Sequence, residues 1–245
     1  MPRPTSFLDG QLQLLQPERG YRFAADAPIL AHFIRCRPTD RLVEIGSGCG
    51  IIPLILFVKK RFHRIVAVEL QPALAELARA NVRRHGADAA IRIVTADVRD
   101  LAPADVDAPA DVVFANPPYR RVGTGRLSPD PARAAARHEL SLDLADLFAA
   151  ARRFLAPDGR FDLIHLWERR ADVAAAAVAA GFHPGRSRQV LAFPHSRQPR
   201  MFLHSWHPAP AEAVVEPPLV IHEKPGVHSE AFRRIISAAP EDTST

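Results

Sequence analysis

The chain has 245 residues, 47% hydrophobic and 24% charged, enough to bury one full core and too few for more than one domain with small additions. No apolar stretch approaches the roughly 18 to 20 residues of a membrane span, and Met1-Pro2-Arg3-Pro4-Thr5 lacks the apolar centre of a secretion signal, so a cytoplasmic protein without membrane association is expected. Two cysteines, Cys36 and Cys49, make neither a disulfide framework nor a zinc site, so no metal is expected; the net charge of +5 favours polyanionic partners, although an arginine-rich coding bias would give the same balance.

In chain order, residues 6–31 are mixed, with turn signals at Gln16-Pro17 and Arg19-Gly20, before a helix predicted over Ala27 to Ile34. Arg41 to Ile45 reads as a buried strand, 46–50 as a glycine-rich turn and Ile51 to Lys60 as a helix. A second strand follows at His63 to Leu70, a helix at Ala73 to His85 and a third strand at Ile91 to Val94. Val112 to Ala115 is a fourth strand, followed by an irregular Arg-, Gly- and Pro-rich segment from Arg120 to His138. A helix over Leu142 to Leu155, a turn at Pro157-Asp158-Gly159, a strand over Arg160 to Leu166 and a helix over Ala171 to Ala180 complete the alternation. Ser187 to Phe193 and Met201 to Trp206 flank Pro194 to Arg200 as a hairpin that closes the sheet edge. The pattern implies an α/β fold with a largely parallel sheet. The expected division is an extension over 1–36 covering the pocket, a main domain over 37–237 and a disordered tail over 238–245.

Glu44-Ile45-Gly46-Ser47-Gly48-Cys49-Gly50 leaves a strand and opens a helix, where an open parallel sheet binds ligands. Its three alternate glycines differ from the dinucleotide fingerprint, which disfavours a nicotinamide-dependent oxidoreductase. The spacing resembles motif I of class I methyltransferases. That resemblance implies a Rossmann-like, seven-stranded, mostly parallel sheet with an antiparallel closing hairpin, helices on both faces, and S-adenosyl-L-methionine as cofactor. Glu69, ending the second strand, is placed to accept hydrogen bonds from two ribose hydroxyls, with Leu70 and Gln71 on the same loop. Asp97, after the third strand, is positioned to receive an adenine amino group, with Val98 against the ring.

Asn116-Pro117-Pro118-Tyr119 follows the fourth strand and is the candidate catalytic tetrad. An amino nitrogen conjugated to a ring or carbonyl is a poor nucleophile. The Asn116 side-chain oxygen and the Pro117 carbonyl can accept its hydrogens, orient its lone pair and stabilise developing positive charge. Pro118 stiffens the turn, and Tyr119 offers a face on which a planar base can stack. In isolation the same four residues would read as a proline turn in a chain with 23 prolines.

The tetrad serves adenine N6 in DNA or RNA, guanine N2 in ribosomal RNA and the glutamine amide of release factors, so it leaves the acceptor open. A non-catalytic, cofactor-holding RNA scaffold is the reading from another class, against which an intact Asn116 argues. Gly20-Tyr21-Arg22-Phe23-Ala24-Ala25-Asp26-Ala27, the glycine loop, Asn-Pro-Pro-Tyr, Ala136-Arg137-His138-Glu139 and Val227-His228-Ser229-Glu230-Ala231-Phe232 together resemble the valine-tRNA adenine N6-methyltransferase family over nearly the whole chain. The resemblance implies a tRNA anticodon loop as substrate, Phe23 and Asp26 bordering the methionine end of the cofactor, and Arg137-His138-Glu139 near the substrate entrance. The chain departs from the family pattern in lacking a proline after His195, and in having Cys49 where Asn or Ser is more usual. Arg120, Arg121, Arg126, Arg133, Arg137 and His138 adjoin the tetrad and are expected to hold RNA phosphates, as are Arg197 and Arg200 in the hairpin loop; a solvated basic loop is the plainer reading. His195, His204 and His207 have no metal-ligand spacing, so surface or packing roles are expected. No obligate protein partner is expected.

Overall fold

The computed structural model describes residues 3–17, 24–60, 62–118 and 142–238. The sequence opens with an antiparallel hairpin of β1 (Arg3–Phe7) and β2 (Leu12–Gln16), whose Leu12 and Leu14 are fully buried. Then follow α1 (Asp26–Phe33), β3 (Arg41–Ile45), α2 (Ile51–Lys59), β4 (Arg64–Glu69), α3 (Pro72–Arg84), β5 (Ile91–Thr95) and β6 (Ala110–Ala115). Past the segment outside the described residues come α4 (Leu144–Phe154), β7 (Leu155–Leu166), α5 (Arg170–Ala179), β8 (His183–Leu191) and β9 (Met201–His207). The chain continues through β10 (Val215–Val220), β11 (His222–Lys224), β12 (Val227–His228) and α6 (Glu230–Ile236).

The main sheet has eight strands in the order β10-β8-β9-β7-β6-β3-β4-β5. Strands β3 to β7 are mutually parallel, β9 runs antiparallel to both β7 and β8, and β10 is parallel to β8. The eighth strand corrects the expectation of seven. Val215-Glu216-Pro217-Pro218-Leu219-Val220 carries two prolines, which read as a loop, but an edge strand tolerates residues that cannot donate to the ladder, and the register shifts between Glu216 and Leu219.

Alternation along the central strands builds a core on each face. Val43, Ile45, Val66, Val68, Val113 and Ala115 pack with α4 and α5, where Phe148 meets Phe161, Phe182 and Trp206 edge to face at 5.1–5.9 Å. Leu42, Ile65, Ala67, Val112 and Phe114 pack with the N-terminal hairpin, α1, α2 and α6. Lys59 ends α2 inside this second core, and its ammonium donates to the carbonyls of Arg234 and Ile235 in the last turn of α6. The fully buried Asn81 of α3 accepts from the Leu15 N–H and donates to the carbonyls of Leu15 and Cys49, so one amide ties the N-terminal hairpin to the glycine-rich loop.

The Pro157-Asp158-Gly159 turn lies inside β7 rather than ahead of it: Ala110 of β6 pairs with Leu155, and the register resumes only at Val112 and Arg160. A Cβ on Gly159 would sit 2.9 Å from the Ala110 carbonyl oxygen and 3.0 Å from that of Asp111, both backbone. Gly159→Ala is therefore expected to cost about 1–3 kcal/mol, read as a fall of about 3–10 °C in Tm by thermal unfolding; an unchanged Tm would mean that β6 and β7 separate freely here.

Candidate active site

Strand register brings the site together. Ile45 pairs with Val68 of β4 on one side and with Ala115 of β6 on the other, so the next residues outward on three neighbouring strands are Gly46, Glu69 and Asn116. All three lie at carboxyl ends, the crevice where open α/β sheets bind ligands. Gly46 turns the chain there with φ of +80°, in the left-handed region that disfavours side chains. A Cβ on it would meet no atom of the described residues within 4 Å, and Gly46 lines the cavity. Gly46 and Ser47 both donate to the Val68 carbonyl, at 2.9 and 3.0 Å, which holds the loop against β4.

The cavity has a volume of about 260 Å³. Gly46, Gly48, Glu69, Leu70, Gln71, Asp97, Val98, Asn116, Pro117 and Pro118, all expected from the sequence, lie along its wall. Glu69 is fixed from behind by backbone donors: Gly48 N–H to Oε2 and Gln71 N–H to Oε1, both 2.8 Å. One bond to each oxygen leaves acceptor capacity on both. Burial raises the Glu69 pKa above the ordinary carboxylate value, and the N–H groups of Gln71, Gly48 and Leu70 act against that rise.

Asp97 accepts from the Arg99 backbone N–H at 2.9 Å, capping a short turn, and from the Arg99 guanidinium, with Nη2 to Oδ2 at 2.5 Å and Nε to Oδ1 at 3.0 Å. This charged fork holds the Asp97 carboxyl below its usual pKa. A second carboxylate, Asp146 on α4, stands 3.7 Å from Arg99 Nη1.

Four expected cofactor contacts are not on the cavity wall. Glu44 is 1% exposed on the central strand, beneath the loop; its Oε2 has no hydrogen-bond partner among the described residues, and burial together with the nearby Glu69 charge raises its pKa well above the carboxylate range. Cys49 turns into the core, its thiol buried and its pKa pushed up to about 11, and Gly50 leads directly into α2. Asp26 is buried at the head of α1, where Oδ1 accepts from the Ala27 N–H at 2.9 Å. Phe23, Tyr119, Arg120, Arg121, Arg126, Arg133, Arg137 and His138 lie outside the described residues. Residues not anticipated complete the wall: Ile45 and Val68 at the strand ends, Leu74 of α3, Ala96, Arg99, Leu142 ahead of α4 and Leu147 within it. The alternation that turns Val43 toward α4 also turns Ile45 that way, so the two strand-end residues were within reach of a period-two reading.

A strand-ordered sheet with an acidic residue ending β4, a glycine turn after β3 and Asn-Pro-Pro after β6 defines a Rossmann-like methyltransferase, and residues 24–176 match the family described as Methyltransferase small domain. Among solved structures, a predicted O-methyltransferase from Agrobacterium tumefaciens shares this fold with a TM-score of 0.65 at 19% identity, covering 89% of this chain and 99% of that one. The geranyl diphosphate C-methyltransferase of Streptomyces coelicolor, solved with S-adenosyl-L-homocysteine, gives 0.54 at 17%, covering 76% and 80%. Two proteins named tRNA1(Val) (adenine(37)-N6)-methyltransferase are similar in sequence: that of Dyadobacter fermentans is 27% identical over 97% of this chain and 98% of its own length, and that of Porphyromonas gingivalis W83 is 30% identical over 79% and 76%. The chain belongs to the family of these tRNA adenine N6-methyltransferases.

Proposed function

We propose that the chain binds S-adenosyl-L-methionine in this cavity and methylates N6 of an adenine in a tRNA anticodon loop, the reaction named for its relatives. The observation that supports the reading is the common register of Gly46, Glu69 and Asn116, which brings a carboxylate and an asparagine amide to the wall of one cavity. The residues present suit such a cofactor: open space beside Gly46, two oxygens on Glu69 with capacity to spare, and an apolar lining from Val68, Leu74 and Val98.

When bound, S-adenosyl-L-methionine supplies an electrophilic methyl group on a sulfonium. Glu69 would hold the ribose hydroxyls and Asp97 the adenine amino group, with Arg99 yielding part of the carboxylate as that bond forms. At the reacting end, Asn116 Oδ1 and the Pro117 carbonyl would accept the two amino hydrogens of the target base. Those bonds turn the nitrogen lone pair outward and stabilise positive charge as it grows on nitrogen, so the chain need not remove a proton first. Pro118 would stiffen the turn, Tyr119 would stack on the base, and the arginines of 120–137 with His138 would hold its flanking phosphates. An anticodon-loop base is already single-stranded or easily splayed, which lowers the cost of reaching the pocket.

The test is methylation of total tRNA from cells that lack the modification, with labelled methyl donor and digestion to nucleosides. N6-methyladenosine from one tRNA species is expected. N2-methylguanosine from RNA or a labelled glutamine in protein would move the acceptor elsewhere, and cofactor binding without transfer to any of these would leave a scaffold.

A further inference from the structure

Four rings that lie far apart in the sequence meet on the same edge of the sheet as the cavity. Phe193 stacks on His195 with centroids 5.7 Å apart and an interplanar angle of 19°; on its other side it meets His222 at 5.5 Å, and His222 meets His228 at 5.0 Å. The string is anchored below by Phe232, a buried residue of α6 that meets His228 edge-on at 4.9 Å. His195 is exposed and the other three rings are half-buried.

Backbone bonds hold this string in place. Arg200 at the end of the β8–β9 loop receives the Trp167 N–H on its carbonyl, and the start of that loop is fixed by the His222 N–H donating to Ala192. Strand directions put the loop and His222 at the edge that carries Asn116, because β8 and β10 run parallel to β7 and β6. From β6 to β8 is three strand spacings and to β10 four, so the rings lie about 15–20 Å along the edge from the tetrad.

The unpaired charge around the rings is positive. Arg197, Arg200 and Lys224 are exposed and make no ion pair among the described residues, whereas Glu223 and Glu230 are paired with Arg233 and Arg234. His222 Nδ1 is buried without a hydrogen-bond partner among the described residues, a cost that apolar rings filling the same space would not carry. An exposed ring, His195, among unpaired cations matches single-stranded nucleic acid, whose bases stack on rings and whose phosphates seek cations.

We infer that His195, backed by Phe193, His222 and His228 and flanked by Arg197, Arg200 and Lys224, forms a second docking surface, on which an unpaired nucleotide of the substrate RNA stacks while the target base occupies the pocket. This rests on the RNA-methyltransferase reading. The surface holds RNA at a distance from the reacting atoms, so it acts on affinity and leaves chemistry alone.

The experiment measures tRNA binding and methylation separately, across a salt series, for the full chain and three variants. His195→Ala should weaken tRNA binding about fivefold or more, and His195→Phe, which keeps a ring to stack on, should restore it. Arg197→Ala/Arg200→Ala should weaken binding about tenfold at low salt and lower the salt slope by about 1.5–2. In each weakened variant KM for tRNA rises, kcat stays within about twofold and the methyl donor binds as before. All three positions are exposed, so folding is spared, which unchanged thermal unfolding would verify. If tRNA affinity and salt slope match the parent in His195→Ala and in the arginine pair, the surface does not serve RNA. If the parent binds tRNA through these residues but methylates none of it, the docking surface stands and the proposed reaction falls.

Discussion

Asn116→Ala is expected to lower kcat/KM for tRNA methylation by about 10³ or more while the dissociation constant of S-adenosyl-L-methionine changes only a few-fold. The side chain leaves β6 one residue beyond the Ala115–Ile45 pair, beside Gly46, and is proposed as one of two acceptors for the target amino group. Removing it leaves the Pro117 carbonyl alone, so the nitrogen is no longer turned toward the methyl group and its developing charge loses a partner. Asn116→Asp keeps an acceptor at the same place and should retain part of the activity. Single-turnover rates separate the effect on chemistry from any effect on binding. Wild-type rates in Asn116→Ala would remove the tetrad from the mechanism.

The second large effect is expected at Glu69, and it falls on the cofactor. Glu69→Ala should raise the dissociation constant of S-adenosyl-L-methionine about 10²-fold or more, because two hydrogen bonds to a charged acceptor are lost. Glu69→Gln should do little better: its amide retains one acceptor but turns a donor toward the N–H of either Gly48 or Gln71, both 2.8 Å from the present carboxylate. The pH dependence follows from the raised pKa of the parent carboxyl. Its ionised form is the one proposed to accept two hydroxyls, so cofactor affinity is expected to fall as pH drops through that pKa, starting above the pH at which an ordinary glutamate would titrate. Glu69→Gln should lack this acid-side loss. Isothermal titration of cofactor into both proteins between pH 5 and 8 checks it; parallel profiles would place the titrating group elsewhere.

The central sheet was readable because buried parallel strands are short continuous apolar runs, and Arg41 to Ile45, Arg64 to Glu69 and Ala110 to Ala115 all have that form. Once those were in order, Gly46, Glu69, Asp97 and Asn116 followed from their positions just after strand ends. Of the glycine loop, Gly46 and Gly48 line the cavity, while Cys49 is buried and Gly50 leads into α2; spacing alone does not separate the two groups. The clasp of Arg99 on Asp97 was not legible, because nothing in the spacing distinguishes an arginine that folds back by two residues from one that reaches solvent. The ring string was hidden for another reason. His195 taken alone has a surface role, and its neighbours His222 and His228 arrive only through the pairing of β10 with β8, an edge strand whose two prolines give no strand signal.

Those prolines also bear on how this molecule meets its neighbours in a crowded cell. Pro217 and Pro218 have no backbone N–H, so β10 lacks two donors where its register shifts. Toward β8 the register shift absorbs the loss, and Arg188 Nε donates to the Pro217 carbonyl at 3.0 Å. The same two residues interrupt the regular row of donors that another chain would need in order to add a strand. At its β10 edge the sheet thus offers a poor template for strand addition, a protection that the opposite edge, β5 with its unbroken Ile91–Thr95, does not share.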